Sequence, residues 1–155
     1  SMAKKAPQTI TLYHFTGAVH IGNILSDSHL RPSNSNLSRQ PHAGSDVVWL
    51  TSSGDYNEQG GLRGGRRIAG LPTADKREFR FTVELPRNEV HHWIGWAKKR
   101  RIDPKWLTTL LETAGSNPHD FWVIERPVYG DEWRAVERWD GEAWTPAARP
   151  IEADP

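Results

Sequence analysis

Phe79, Phe81, Val83 and Leu85 alternate with Arg80, Thr82 and Glu84 until Pro86 interrupts the run. Successive side chains of a strand point to opposite faces, so this segment predicts a strand with one face against a core and the other against polar surroundings. Pro86 cannot donate to a ladder and closes it. A single half-buried strand is not stable alone, so the rest of the chain must supply a sheet and a layer to cover it. Four further segments read as strands: Thr9 to Phe15, Asp46 to Thr51, Asp120 to Glu125 and Trp133 to Trp139. Asp140-Gly141, between Arg138-Trp139 and Ala143-Trp144, is a two-residue hairpin signal. Helices are predicted at Ala18 to Ser26, where Val19, Ile24 and Leu25 fall at helical spacing, at Val90 to Arg101, which carries Trp93, Ile94 and Trp96, and from Asp103-Pro104 to Ala114, closed by Gly115. The expected fold class is α+β.

At 155 residues the chain can bury roughly 70% of its unfolded surface in one core, so residues 3–155 are expected to form a single domain. Ser1-Met2 reads as a remnant of expression, and residues 147–155 as a frayed tail. Mean hydropathy is low at −0.70, but eight Trp, four Phe and three Tyr supply large buried areas per residue, which marks a globular chain. No apolar run reaches the roughly 20 residues that span a bilayer, and no signal-peptide pattern opens the sequence, so a cytoplasmic location without membrane contact is expected. The absence of cysteine excludes disulfides, thiolate nucleophiles and Cys-ligated zinc.

Twenty basic and nineteen acidic residues give a net charge of +1, which is not the field of a strong nucleic-acid binder. Lys98 to Arg101 ends a predicted helix, where cations complement the dipole. Arg63, Arg66 and Arg67 lie instead in a Gly-rich stretch, within a run from Ser53 to Asp75 that shows no periodicity; such runs are often binding loops. Phosphate-loop, nucleophile-elbow and zinc-helix motifs are all absent. His91-His92 would diverge on a strand or a helix, so no metal site is expected.

The strongest functional signal is polar. The first strand ends His14-Phe15-Thr16-Gly17 and the second ends Trp49-Leu50-Thr51-Ser52. A buried strand has no packing need for an imidazole or a hydroxyl pair where the chain leaves the sheet, so these groups are candidates for a ligand site.

A strand reading Tyr-His-x-Thr, a second reading apolar-Trp-x-Thr-Ser, and a late acidic residue beside a strand resemble the three motifs of the ADP-ribosyltransferase superfamily, especially its small bacterial and phage-borne members. The resemblance implies split antiparallel β-sheets with a few short helices, NAD as co-substrate, and transfer of ADP-ribose to an acceptor with release of nicotinamide. It places His14 on a ribose hydroxyl, with Thr16 and Gly17 beside the nicotinamide carboxamide. Trp49, Thr51 and Ser52 would line the nicotinamide side, with Tyr56 stacked on the ring and Arg67, with Arg63 and Arg66, on the pyrophosphate. Glu132 would be the catalytic acid, with Glu137 and then Asp131 as alternatives. The acceptor could be a protein, a nucleic acid or a small molecule. Two other readings stay open: RNA 2′-phosphotransferase chemistry, which also uses NAD but relies on arginines and a histidine, and a non-catalytic nucleotide-binding module built on the two basic clusters and tryptophan platforms.

Overall fold

The computed structural model describes residues 8–32, 47–59, 77–100 and 118–148. The half-buried strand is the spine of a seven-stranded antiparallel sheet. In chain order the elements are β1 (Thr9–Thr16), α1 (Ala18–Asp27), β2 (His29–Leu30), β3 (Val48–Thr51), β4 (Phe79–Pro86), β5 (Val90–His92), α2 (Trp93–Lys99), β6 (Phe121–Ile124), β7 (Val128–Tyr129), β8 (Trp133–Trp139) and β9 (Trp144–Ala148). The large sheet runs β5-β6-β3-β1-β4-β8-β9, and β2 and β7 form a separate two-stranded ribbon. The architecture is α+β and mostly antiparallel sheet. Among the described residues no helix is long and apolar enough to cross a membrane.

Residues opposite each other in antiparallel strands share a face. Leu12, Phe81, Val83, Leu85 and Val136 therefore join Val48, Leu50 and Ile124 in one buried cluster. Ile21, Ile24 and Leu25 of α1 pack on that face, together with Leu30 of β2 and Val128 of β7. On the other face Val47, Val123, Trp93, Trp96 and Ala97 form a second cluster with Trp49 and Phe121 against it, so α2 covers the β3–β6 end. The chain beyond β3 folds back over this same face toward β8 and β9. Tyr56 stacks on Trp139 at 4.4 Å and 7°, and the Arg80 guanidinium sits 4.4 Å over Trp144 while bonding the Gly54 carbonyl and Glu137.

The sheet is not uniform. β1 and β4 keep an unbroken register from Thr9 with Pro86 to Thr16 with Phe79. β1 and β3 share one pair, Tyr13 with Thr51. On the His14 side of that pair β3 continues on β6 alone, and the sheet opens between β1 and β3.

Several expectations are corrected. Val90 to Arg101 is not one helix: Val90, His91 and His92 pair with Ile124, Val123 and Trp122, and only Trp93–Lys99 is helical. An edge strand satisfies its backbone against β6, which outweighs the local helical spacing. The β8–β9 connection is a four-residue turn from Asp140 to Ala143, not a two-residue one; the Asp140 side chain accepts from the backbone N–H of Glu142 and Ala143, and Gly141 takes φ +107. β9 continues through Pro146 to Ala148, so the chain is not frayed there; Pro146 is tolerated on an edge strand. The predicted helix from Asp103 to Ala114, the loop arginines Arg63, Arg66 and Arg67, and residues 149–155 lie outside the described residues.

Candidate functional site: a hollow beside the opened sheet

His14 alternates onto the α1 face of β1, beside the opening. Its ring nitrogen Nδ1 lies 2.8 Å from the Trp49 carbonyl. A carbonyl only accepts, so Nδ1 carries the hydrogen and the side chain bridges the two strands where their ladder has stopped. In the neutral ring Nε2 is then an acceptor, and it has no hydrogen-bond partner among the described residues. Burial pushes the His14 imidazole below its ordinary pKa, the Trp49 carbonyl opposes that shift, and nearby His20 adds to it. The ring is thus held neutral, in one tautomer, as a hydrogen-bond acceptor.

His14 lines a hollow of about 630 Å³, together with Thr16, His20, Asn23, Asp27, His29 and Arg31 among others. Thr16 is 6% exposed, and its hydroxyl has no partner among the described residues. Gly17 is the N-cap of α1, with extended backbone and no side chain to obstruct the turn from strand to helix. The far wall is made by a chain reversal. Helix α1 ends at Asp27, and Ser28 adopts the left-handed conformation with φ 59 while its N–H reaches the Ile24 carbonyl. The reversal places the His29 ring nitrogen on the Asp27 carbonyl at 2.9 Å and Arg31 on the Asp27 carboxylate at 2.6 Å.

The other sequence-predicted residues go elsewhere. Trp49 contributes its carbonyl to His14, but its ring lies on the opposite face between Trp93 and Phe121, at 5.8 and 6.3 Å. Thr51 is buried and accepts from the Ser53 N–H. Ser52 faces Asp120, its N–H on the Asp120 carbonyl at 2.9 Å and its hydroxyl 3.4 Å from the carboxylate. Tyr56 is committed to Trp139 and Trp144. Arg67 lies outside the described residues.

Of the acids, Glu132 is held on both oxygens. Arg126 donates to them at 2.8 and 2.9 Å, and the Tyr129 N–H adds a contact at 3.1 Å. The same guanidinium reaches Glu89, and Glu132 first, then Glu89, raise its pKa. Glu137 pairs with Arg80 at 2.6 Å on the face away from His14. Asp131 is exposed, and its carbonyl accepts from Arg134. The carboxylate that lines the same hollow as His14 is Asp27, which sequence reasoning missed. Its signal was faint: an acid at the end of a helix, four residues before an arginine. Among the described residues no cluster of His, Asp and Glu has the geometry of a metal site.

Comparison of the chain with family models, curated proteins and solved structures finds no match.

Proposed function

We propose that the hollow binds NAD and that the protein transfers ADP-ribose from it to an acceptor, releasing nicotinamide. One observation carries the reading: a neutral imidazole, fixed in one tautomer across an opened sheet and with its other ring nitrogen left as an acceptor, lines a hollow in which a sugar hydroxyl could be its donor. Thr16 and Gly17 sit beside it, in the order the motif resemblance requires. In the reaction the bond between ribose and nicotinamide breaks, nicotinamide leaves with the electron pair, and positive charge develops on the sugar. The acceptor then bonds to that carbon and loses its proton. A carboxylate beside the sugar stabilises the charge, and Asp27 supplies it: one oxygen is on Arg31, and the other has no partner among the described residues.

A second reading has support in the same geometry. Glu132 and Glu137 are spent on arginines, while His14 and Arg31 share the hollow, which suits the histidine and arginine chemistry of NAD-dependent RNA 2′-phosphotransfer. The experiment is incubation with NAD and a broad acceptor mixture, with nicotinamide release followed for wild type, His14→Ala and Asp27→Asn. Transfer predicts release that falls at least about tenfold in each variant. Release only with 2′-phosphorylated RNA, unaffected by Asp27→Asn, selects the second reading. No release and no rise in melting temperature at millimolar NAD defeats both.

A further inference from the structure

Arg31 stands at the end of the reversal that closes the hollow, and nothing in the motif resemblance assigns it a role. Its side chain is 69% exposed, and its only side-chain hydrogen bond among the described residues is from one nitrogen to Asp27. A guanidinium offers five donors in a planar fork, so the remaining N–H groups are available to a ligand. The Asp27 contact fixes the direction of the fork, and the His29 bond to the Asp27 carbonyl stiffens the loop that carries it. The hollow is therefore chemically two-ended. At the β1 end it offers neutral groups suited to a hydroxyl: the His14 acceptor and the Thr16 hydroxyl. At the α1–β2 end it offers a preset cationic fork suited to a phosphate.

We propose that Arg31 is the anion subsite of this hollow and holds the diphosphate of the dinucleotide, while His14 holds a sugar hydroxyl. The assignment rests on the NAD reading for the identity of the ligand, but not for the anion chemistry of Arg31. It gives phosphate recognition to the residue immediately after β2, independent of the loop arginines Arg63, Arg66 and Arg67. Asp27 then has two contacts to serve, positioning Arg31 with one oxygen and facing the sugar with the other.

The test is titration calorimetry of the full chain with three probes: NAD, nicotinamide riboside (the same nicotinamide ribose without the diphosphate and the adenosine it carries) and inorganic pyrophosphate. Wild type should bind NAD about tenfold or more tightly than the riboside, since a charge-assisted contact to phosphate is lost in the latter. Arg31→Ala should narrow the gap between the two, leaving only what the adenosine contributes, and abolish pyrophosphate binding, and Arg31→Lys should recover only part, because it keeps the charge and loses the fork. His14→Ala should weaken NAD and the riboside alike and leave pyrophosphate binding in place. If Arg31→Ala leaves the preference for NAD unchanged while His14→Ala lowers both affinities, the anion subsite is overturned and the NAD reading stands. If wild type binds pyrophosphate in an Arg31-dependent way and neither NAD nor the riboside, the subsite stands and the NAD reading falls. Absence of binding by all three overturns both.

Discussion

His14 and Gly54 each serve a geometry that no neighbouring residue type could supply. Burial depresses the His14 pKa below its ordinary 6.5, so as pH falls the unfolded chain takes up this proton before the folded protein does. The neutral ring's contribution to stability is therefore complete above the unfolded value and is lost as pH falls from there through the lower folded value. Urea midpoints measured from pH 8 to pH 5 should decline for wild type across that window. His14→Gln, which retains a donor for the Trp49 carbonyl but does not titrate, should flatten the decline. Gly54 lies against the Tyr13 ring, where an added Cβ would stand 2.9 Å from Cζ. The chain is pinned there because Arg80 donates to the Gly54 carbonyl. Gly54→Ala should cost about 1 to 3 kcal/mol by forcing ring or backbone aside, read as a lowered urea midpoint with unchanged slope.

The segment from Arg126 to Glu132 is a clamp. β7 pairs with β2 through His29 with Tyr129 and Leu30 with Val128, and the Gly130 N–H reaches the Ser28 carbonyl at 2.8 Å. This two-residue ribbon has little backbone pairing of its own. The Arg126 fork, spanning Glu132 and Glu89, fixes the turn that follows it and so braces the wall carrying His29 and Arg31. Glu132→Gln should destabilise the fold by about 1 to 3 kcal/mol, since it removes a charged, partly buried partner. A purely catalytic acid would give a different result, loss of turnover with the urea midpoint unmoved. Chemical denaturation alongside the nicotinamide assay separates the two. The same segment shows why the element pattern was only partly legible. β1, β3, β4, β6 and β8 carry runs of apolar and aromatic residues long enough to show in the sequence. β2, β5 and β7, two or three residues each, have no period to detect and exist only because a partner strand is beside them.

Among the described residues two layers cover the faces of the large sheet, and the sheet's opening decides where a ligand can go. Phe81 stands at the centre, fully buried, edge-on to Trp133 at 4.9 Å and to His14 at 6.4 Å. It supports the core and the imidazole together. Phe81→Ala should cost about 3 to 5 kcal/mol and should weaken NAD binding among the molecules that remain folded, which thermal unfolding and calorimetry below the melting temperature can each register. The amino-acid sequence alone determined the α+β class, the half-buried central strand and the placement of a histidine, a threonine and a glycine where β1 leaves the sheet. These follow from alternation and residue chemistry, which are local. Only the tertiary structure decided that β1 and β3 part after Tyr13 and Thr51, that Trp49 offers a carbonyl and not its ring, that Glu132 belongs to Arg126, and that Asp27 and Arg31 line the same hollow as His14. Each of these depends on contacts between segments distant in the chain or on a reversal at one left-handed serine. No periodicity records them.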